Sequence, residues 1–122
     1  MKRIGLLLLV VLAVGAFQSC KNDDPSVVKI FVRSASNELV EGAKVVIVGD
    51  VSSNPATLAD VDTLITNNSG FAQFNLEDHF AMGDKDYEVA YFDIFTTYNG
   101  VQTTGRVRSR IHTTAVETVY LP

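Results

Sequence analysis

The chain has no tryptophan, one cysteine, two histidines and three prolines in 122 residues, and no segment carries the 3.6-residue apolar stripe of an amphipathic helix. Each shortage excludes something. A single cysteine, Cys20, cannot close an intramolecular disulfide, so a domain built from this chain must be held by its core alone. His79 and His112 lie in different segments without the His-x-x-x-His spacing of a metal pair, so no metal and no cofactor is expected. Asp60 with Asp62, and Asp84 with Asp86, match no calcium-loop pattern and read as solvated loop carboxylates. Without tryptophan the chain lacks the broad ring on which sugar-binding modules most often stack a sugar. Positive charge is scarce too. From position 20 onward eight basic residues stand against fourteen acidic ones, a formal −6, which gives no global attraction for nucleic acid or an anionic lipid surface.

What the chain does have begins at its start. Lys2 and Arg3 precede an apolar run from Ile4 to Phe17, too short for the roughly 20 residues of a spanning helix and closed by Gln18-Ser19-Cys20. This has the form of a cleaved leader. Ser19-Cys20 resembles the lipobox of bacterial lipoproteins, which implies that the Cys20 sulfur carries a diacylglycerol and that residues 1–19 are removed. Two or more acyl chains make membrane residence stable where one would be marginal. Residues 20–26 then read as the lipidated cysteine and a polar tether. Its Asp23-Asp24 pair resembles the acidic export signal of some Gram-negative surface lipoproteins, and it reads equally as a solvated linker. The expected location is the cell envelope of a Gram-negative bacterium, as an outer membrane lipoprotein.

Residues 27–122 suffice for one domain, with β-branched and aromatic runs broken by Gly, Asn, Asp and Ser throughout. Val28, Ile30 and Val32 alternate against Lys29, Phe31 and Arg33, a strand with one core face. Ala43–Gly49 is apolar on both faces and should be more central. After a loop at 50–60, Val61–Thr66 and Phe71–Leu76 follow as strands around the Asn67-Asn68-Ser69-Gly70 turn, with Ala72, Phe74 and Leu76 facing inward. A short helical turn fits Glu77–Ala81, and Thr114–Leu121 closes the chain as a last strand.

Asn99-Gly100 is the favoured pair for a two-residue type I′ hairpin, because both positions need positive φ. Residues whose numbers sum to 199 then face each other. Phe92 meets Val107 and Ile94 meets Gly105 on one face; Asp93 meets Arg106, Tyr91 meets Arg108 and Tyr87 meets His112 on the other. Seven short strands at this spacing predict an all-β fold, a single seven-stranded Greek-key-type β-sandwich.

The series Glu41-Gly42-Ala43-Lys44-Val45-Val46-Ile47, then Thr66-Asn67-Asn68-Ser69-Gly70-Phe71-Ala72-Gln73-Phe74, Tyr87-Glu88-Val89 and Val119-Tyr120-Leu121 resembles the carboxypeptidase regulatory-like, or prealbumin-like (transthyretin-like), domain. The resemblance implies a fold and no reaction. It turns the positions of Tyr87 and Val89 inward, against the simple hairpin register, and a β-bulge between Tyr87 and Asp93 would reconcile the two. Enzymes on related folds leave no signature here. The chain closes with Val-Tyr-Leu-Pro where hydroxyisourate hydrolases close with Tyr-Arg-Gly-Ser, and no Gly-x-Ser-x-Gly elbow is present. The expectation is a protein that is not an enzyme.

Arg106, Arg108, Arg110 and His112 recur at every second position and, with Tyr91 opposite, form the candidate binding face. Such a row suits sulfated or carboxylated glycans, and it also reads as a solvated sheet face neutralised by Asp93 and its neighbours. Two functions are expected from this chain: a lipid-anchored interaction or accessory module for a protein partner in the envelope, or a small glycan-binding surface lipoprotein. A flat apolar surface favours the first. A groove lined by Tyr91, Tyr98 and arginines favours the second.

Overall fold

The computed structural model describes residues 23–122; the expected leader, the expected lipidation site at Cys20 and the first residues of the expected tether lie outside the described residues. Seven strands and one helical turn follow in order: β1 (Val27–Arg33), β2 (Lys44–Gly49), β3 (Val61–Ile65), β4 (Phe71–Asn75), α1 (Glu77–Ala81), β5 (Val89–Tyr98), β6 (Val101–Arg110) and β7 (Thr114–Tyr120). They form an all-β sandwich of two sheets, β4-β1-β7 and β3-β2-β5-β6. The apolar run of β2 does sit between two neighbours, and β1 is the middle strand of its own sheet.

Alternation decides which side chains meet between the sheets. Val28, Ile30 and Val32 from β1, Val45 and Ile47 from β2, Phe74 from β4, Phe92 and Ile94 from β5 and Val119 from β7 are all buried in one core. The β5–β6 ladder has the register that Asn99-Gly100 dictates, with Phe92 opposite Val107, Asp93 opposite Arg106 and Tyr91 opposite Arg108. Asn99 at φ 49° and Gly100 at φ 76° supply the two left-handed residues of the turn. The ladder is regular from Tyr98–Val101 to Val89–Arg110, so no bulge interrupts it. Tyr87 and His112 do not pair, because β5 starts two residues after Tyr87 and His112 turns at φ 61°. Tyr87 faces the core as the family pattern implied, while Val89 stays on the outer side opposite Arg110. In β7, Val119 and Leu121 point in and Val116 points out.

The registers give the sandwich two ends. Val27 lies beside both Asn75 and Thr114, so one end collects Ser26, loop 50–60, α1 and the turn at 111–113. The other collects residues 34–43, the 67–70 turn, the Asn99-Gly100 tip and Leu121-Pro122. Ser26, the last residue of the expected tether, is itself buried: its N–H donates to Glu77 Oε1 at 2.9 Å and its hydroxyl accepts from the His112 N–H at 2.8 Å.

Two inner-face details set stability. A Cβ on Gly105 would come within 2.8 Å of Val119 Cγ1, so this glycine lets β6 approach β7 across the core. Thr96 Oγ1 and Ser109 Oγ are buried without a hydrogen-bond partner. Gly105→Ala is therefore expected to cost about 1–3 kcal/mol by overpacking, read from denaturant unfolding, because a branched valine cannot swing aside. Thr96→Val should move the same measurement the other way by about 1 kcal/mol, since it removes a desolvated hydroxyl at nearly constant volume. A destabilised Thr96→Val would mean that its hydroxyl has a partner.

Candidate functional site

Three places on the sandwich gather chemistry, and the first is the predicted arginine face. Arg106 Nη1 lies 2.9 Å from Asp50 Oδ2 and 3.0 Å from Asp93 Oδ1, and its guanidinium stacks 5.3 Å from the centre of the Tyr91 ring. Asp93 comes from the paired strand and Asp50 from the residue following β2, so one cation closes two carboxylates across three elements. The Arg106 hydrogen bond and the Ser52 N–H together hold the Asp50 carboxyl below the usual aspartate range. Tyr91 is thereby covered and Arg106 is engaged. Arg108 and Arg110 remain exposed on the same face. His112 does not extend the row: the strand ends at Arg110, and the imidazole Nδ1 sits 2.9 Å from the Asp24 carbonyl. The face holds three exposed arginines where the sequence spacing promised a row of four basic residues, and one of them, Arg106, is engaged by Asp50 and Asp93.

The second place was not visible as a site in the sequence. α1 buries His79 against Phe80, Tyr87 and Phe92, with ring centres 5.6, 5.5 and 5.0 Å away. His79 Nδ1 is 2.8 Å from Asp60 Oδ2, and His79 Nε2 is 2.6 Å from Tyr87 Oη. The Leu58 N–H donates to that same Tyr87 oxygen at 3.1 Å. Only one proton arrangement satisfies every atom around a neutral ring: Nδ1–H donates to the Asp60 carboxylate and the Tyr87 hydroxyl donates to Nε2. Burial pushes the Tyr87 phenol above the usual tyrosine value, so it is held protonated.

Asp, His and a hydroxyl in line have the form of a nucleophile relay. Here the tyrosine oxygen already accepts a backbone N–H, and its raised pKa works against a reactive phenolate. The arrangement acts as a pin. It ties loop 50–60 through Leu58 and Asp60, α1 through His79, and the approach to β5 through Tyr87. Thr57 adds a further tie, its Oγ1 accepting the Tyr91 N–H at 2.7 Å, so loop 50–60 is fastened to the sheet. Among the described residues no group of three or more His, Cys, Asp or Glu is placed to hold a metal ion, and no helix is long and apolar enough to cross a membrane.

The third place comprises surfaces with little polar engagement. At the hairpin-tip end, Ser34, Ser36, Val40, Tyr98, Val101 and Leu121 line an open cleft of about 400 Å³. Tyr91 is not among its walls and neither is an arginine, so the groove that would mark a glycan site is not assembled. On the outer face of the four-stranded sheet, the registers align Thr63, Val46, Phe95 and Thr104 in one row and Val61, Val48, Asp93 and Arg106 in the next. Val61, Ile65 and Phe95 are exposed there, and Val46 and Val48 are half-buried between them. Its apolar side chains alternate with Thr63 and Thr104, and charge stands at two margins, the Asp50–Arg106–Asp93 clasp on one and the exposed Lys44, opposite Ile65, on the other.

No family model matches the chain, and no similar protein was found among characterised sequences.

Tyr87→Phe removes the donor to His79 and the acceptor of Leu58 while keeping the ring. It should cost about 1–3 kcal/mol in denaturant unfolding and loosen loop 50–60 to hydrogen exchange. The folded state of the native chain holds the phenol proton more tightly than the unfolded chain. This contribution is complete below the unfolded tyrosine value of about 10 and is lost as pH rises through the higher folded value. Native protein should therefore show an alkaline loss of stability above pH ~10 that is reduced in Tyr87→Phe; equal alkaline profiles would show that Tyr87 does not carry it.

Proposed function

We propose that this chain is a non-enzymatic lipoprotein of a Gram-negative cell envelope, anchored in the outer membrane through lipid on Cys20, whose β-sandwich is an interaction module for a protein partner. The observation that carries the reading is the outer face over β3, β2 and β5, where Val61, Ile65 and Phe95 lie exposed around Val46 and Val48, with Lys44 opposite Ile65 at its margin. Contiguous exposed apolar side chains of this kind mark protein contact surfaces. The charge ring at one margin, with Asp50 and Asp93 shared by Arg106, leaves the centre uncharged, which is the pattern of an interface core inside a polar rim. The lipobox at Ser19-Cys20 supports the anchor. The sheet pattern 4-1-7 and 3-2-5-6 is compatible with the prealbumin-like resemblance of the sequence motifs.

A small-ligand reading has one observation in its favour, the cleft at the hairpin tip with the Tyr98 ring and the Ser34 and Ser36 hydroxyls at its walls. Its volume falls within the ordinary range of ligand sites. The glycan form of that reading also needs the arginines, and these lie on a different face.

The reading makes two linked predictions for the full chain expressed in a Gram-negative host. Labelled palmitate should enter the wild-type chain and be absent from Cys20→Ala, and a photo-crosslinker at Phe95 should join the membrane-bound chain to one envelope protein, whereas the same probe at Val116, exposed on the opposite sheet, should not. Palmitate in Cys20→Ala would remove the anchor. Equal adducts at both positions would remove the docking face.

A further inference from the structure

β3 is exposed along its entire length. All five residues, Val61-Asp62-Thr63-Leu64-Ile65, are open to solvent, with Val61 at 64%, Ile65 at 57% and Leu64 at 37% exposure. The cause is geometric, because a four-stranded sheet stands over a three-stranded one and its edge strand overhangs the core. Leu64 and Asp62, opposite the buried Val45 and Ile47, point to the inner side and are still exposed.

The outer edge of this strand is also a row of available peptide groups. Gly49 donates to the Asp60 carbonyl and Thr66 donates to the Ala43 carbonyl, both at 2.8 Å. In an antiparallel ladder this turns the peptide groups of residues 60, 62, 64 and 66 toward β2, and those of Val61, Thr63 and Ile65 outward. One of these outward groups is covered within the chain, since Asp62 Oδ1 accepts the Thr63 N–H at 2.8 Å. Natural sheets blunt such edges with lysine, proline, bulges or charge. β6, at the other end of this sheet, carries Arg106, Arg108 and Arg110; β3 has no basic residue and no proline, and its one charge is Asp62 on the inner side.

We propose that the edge of β3 pairs with β3 of a second copy of this chain, antiparallel about a two-fold axis at Thr63, to give one eight-stranded sheet. The sequence of the strand is complementary to itself in that register. Val61 meets the partner's Ile65, so the two most exposed apolar side chains of the strand cover each other, and Thr63 meets the partner's Thr63. Asp62 meets the partner's Leu64, which keeps the two Asp62 carboxylates from lying directly opposite one another. All three outward residues fall at hydrogen-bonded positions of the new ladder, where the Thr63 N–H exchanges its Asp62 cover for a carbonyl of the partner. The contact is small beside the roughly 1,600 Å² of a standard interface, so the pairing is weak in dilute solution and gains from confinement of both copies to one membrane.

The register gives the test. Opposed residues at hydrogen-bonded positions bring their Cα atoms to about 5.5 Å, within disulfide reach, whereas two copies of position 61 stand about 14 Å apart along the strands. Thr63→Cys in the full chain, oxidised in isolated membranes, is expected to give covalent dimer exceeding Val61→Cys by roughly tenfold or more, with the wild-type chain recording any background from Cys20. Val61→Cys/Ile65→Cys, which forms two bridges in the same register, gives a second reading if the single replacement impairs folding. Absence of dimer above the wild-type level in both variants overturns the proposal, as does equal crosslinking of Val61→Cys. A disulfide adduct of the Thr63→Cys chain with a different protein overturns the second copy as occupant. The envelope-partner reading is scored separately by the Phe95 probe, so the two can fail independently.

Discussion

Two residues in the left-handed region, Asn99 and Gly100, decide the face of nearly every side chain in the larger sheet. A strand repeats its facing every two residues, so the turn fixes the β5–β6 register, and a slip of one would exchange inner and outer sets along both ten-residue strands. With the register as it stands, Ala90, Phe92 and Ile94 face the core beside Val107, while Asp93 meets Arg106 and Tyr91 meets Arg108 outside. β2 pairs along the other side of β5, so its Val45 and Ile47 inherit the inner facing from Thr96 and Ile94. The apolar outer row of Val46 and Phe95 is the other product of that inheritance. The docking face and the core are thus set by one turn.

Core stability bears the load that a disulfide would share in many secreted domains of this size. Its margin is narrowed by the desolvated hydroxyls of Thr96 and Ser109. Compensation comes from the end where the chain enters the fold. Ser26 is bonded to Glu77 and His112 there, and Asp60, His79, Tyr87 and Leu58 form the pin that fastens loop 50–60 to α1 and β5. Most of these ties join segments distant in sequence, so each must close a long loop as the chain folds and fastens together parts of the fold that no local bond would reach. The rigid end and the cleft end of the sandwich are therefore different in kind.

How much of this was legible in the sequence depends on whether the signal was local. Strand alternation in β1 and β4, the two-sided apolar run of β2, the helical turn at Glu77–Ala81 and the hairpin register from Tyr98–Val101 to Val89–Arg110 all follow from residues within one or two elements and stand as read, whereas the Tyr87–His112 pair does not form. The candidate site fared differently. Spacing of two placed Arg106, Arg108 and Arg110 on one face, and it could not show that Asp50, 56 positions earlier, closes on Arg106. The same spacing carried His112 one step too far, because the strand end is set by the Ser26 hydroxyl waiting for the His112 N–H. His79 looked like an isolated loop histidine. Its partners lie 19 and 8 residues away on either side, and the one hint was the family pattern that turns Tyr87 inward.

If the chain is anchored through Cys20 and pairs at β3 as proposed, the pairing constrains how the two copies would sit on a membrane. An antiparallel edge pair has its two-fold axis normal to the sheet, so the two Ser26 ends lie on opposite sides of the dimer, each at the start of a β1 strand. The six steps from Cys20 to Ser26 reach at most about 20–22 Å when extended. Upright strands would stand the inverted copy on its Asn99-Gly100 tip and lift its Ser26 beyond that reach, since β5 spans about 30 Å from Tyr98 to Val89 at the Ser26 end. Two copies anchored in one leaflet must then lie with their strands along the surface. β1 belongs to the three-stranded sheet, so short tethers draw that sheet toward the lipid, and the outer face of the four-stranded sheet, now doubled and continuous across both copies, turns away from the membrane toward whatever it binds.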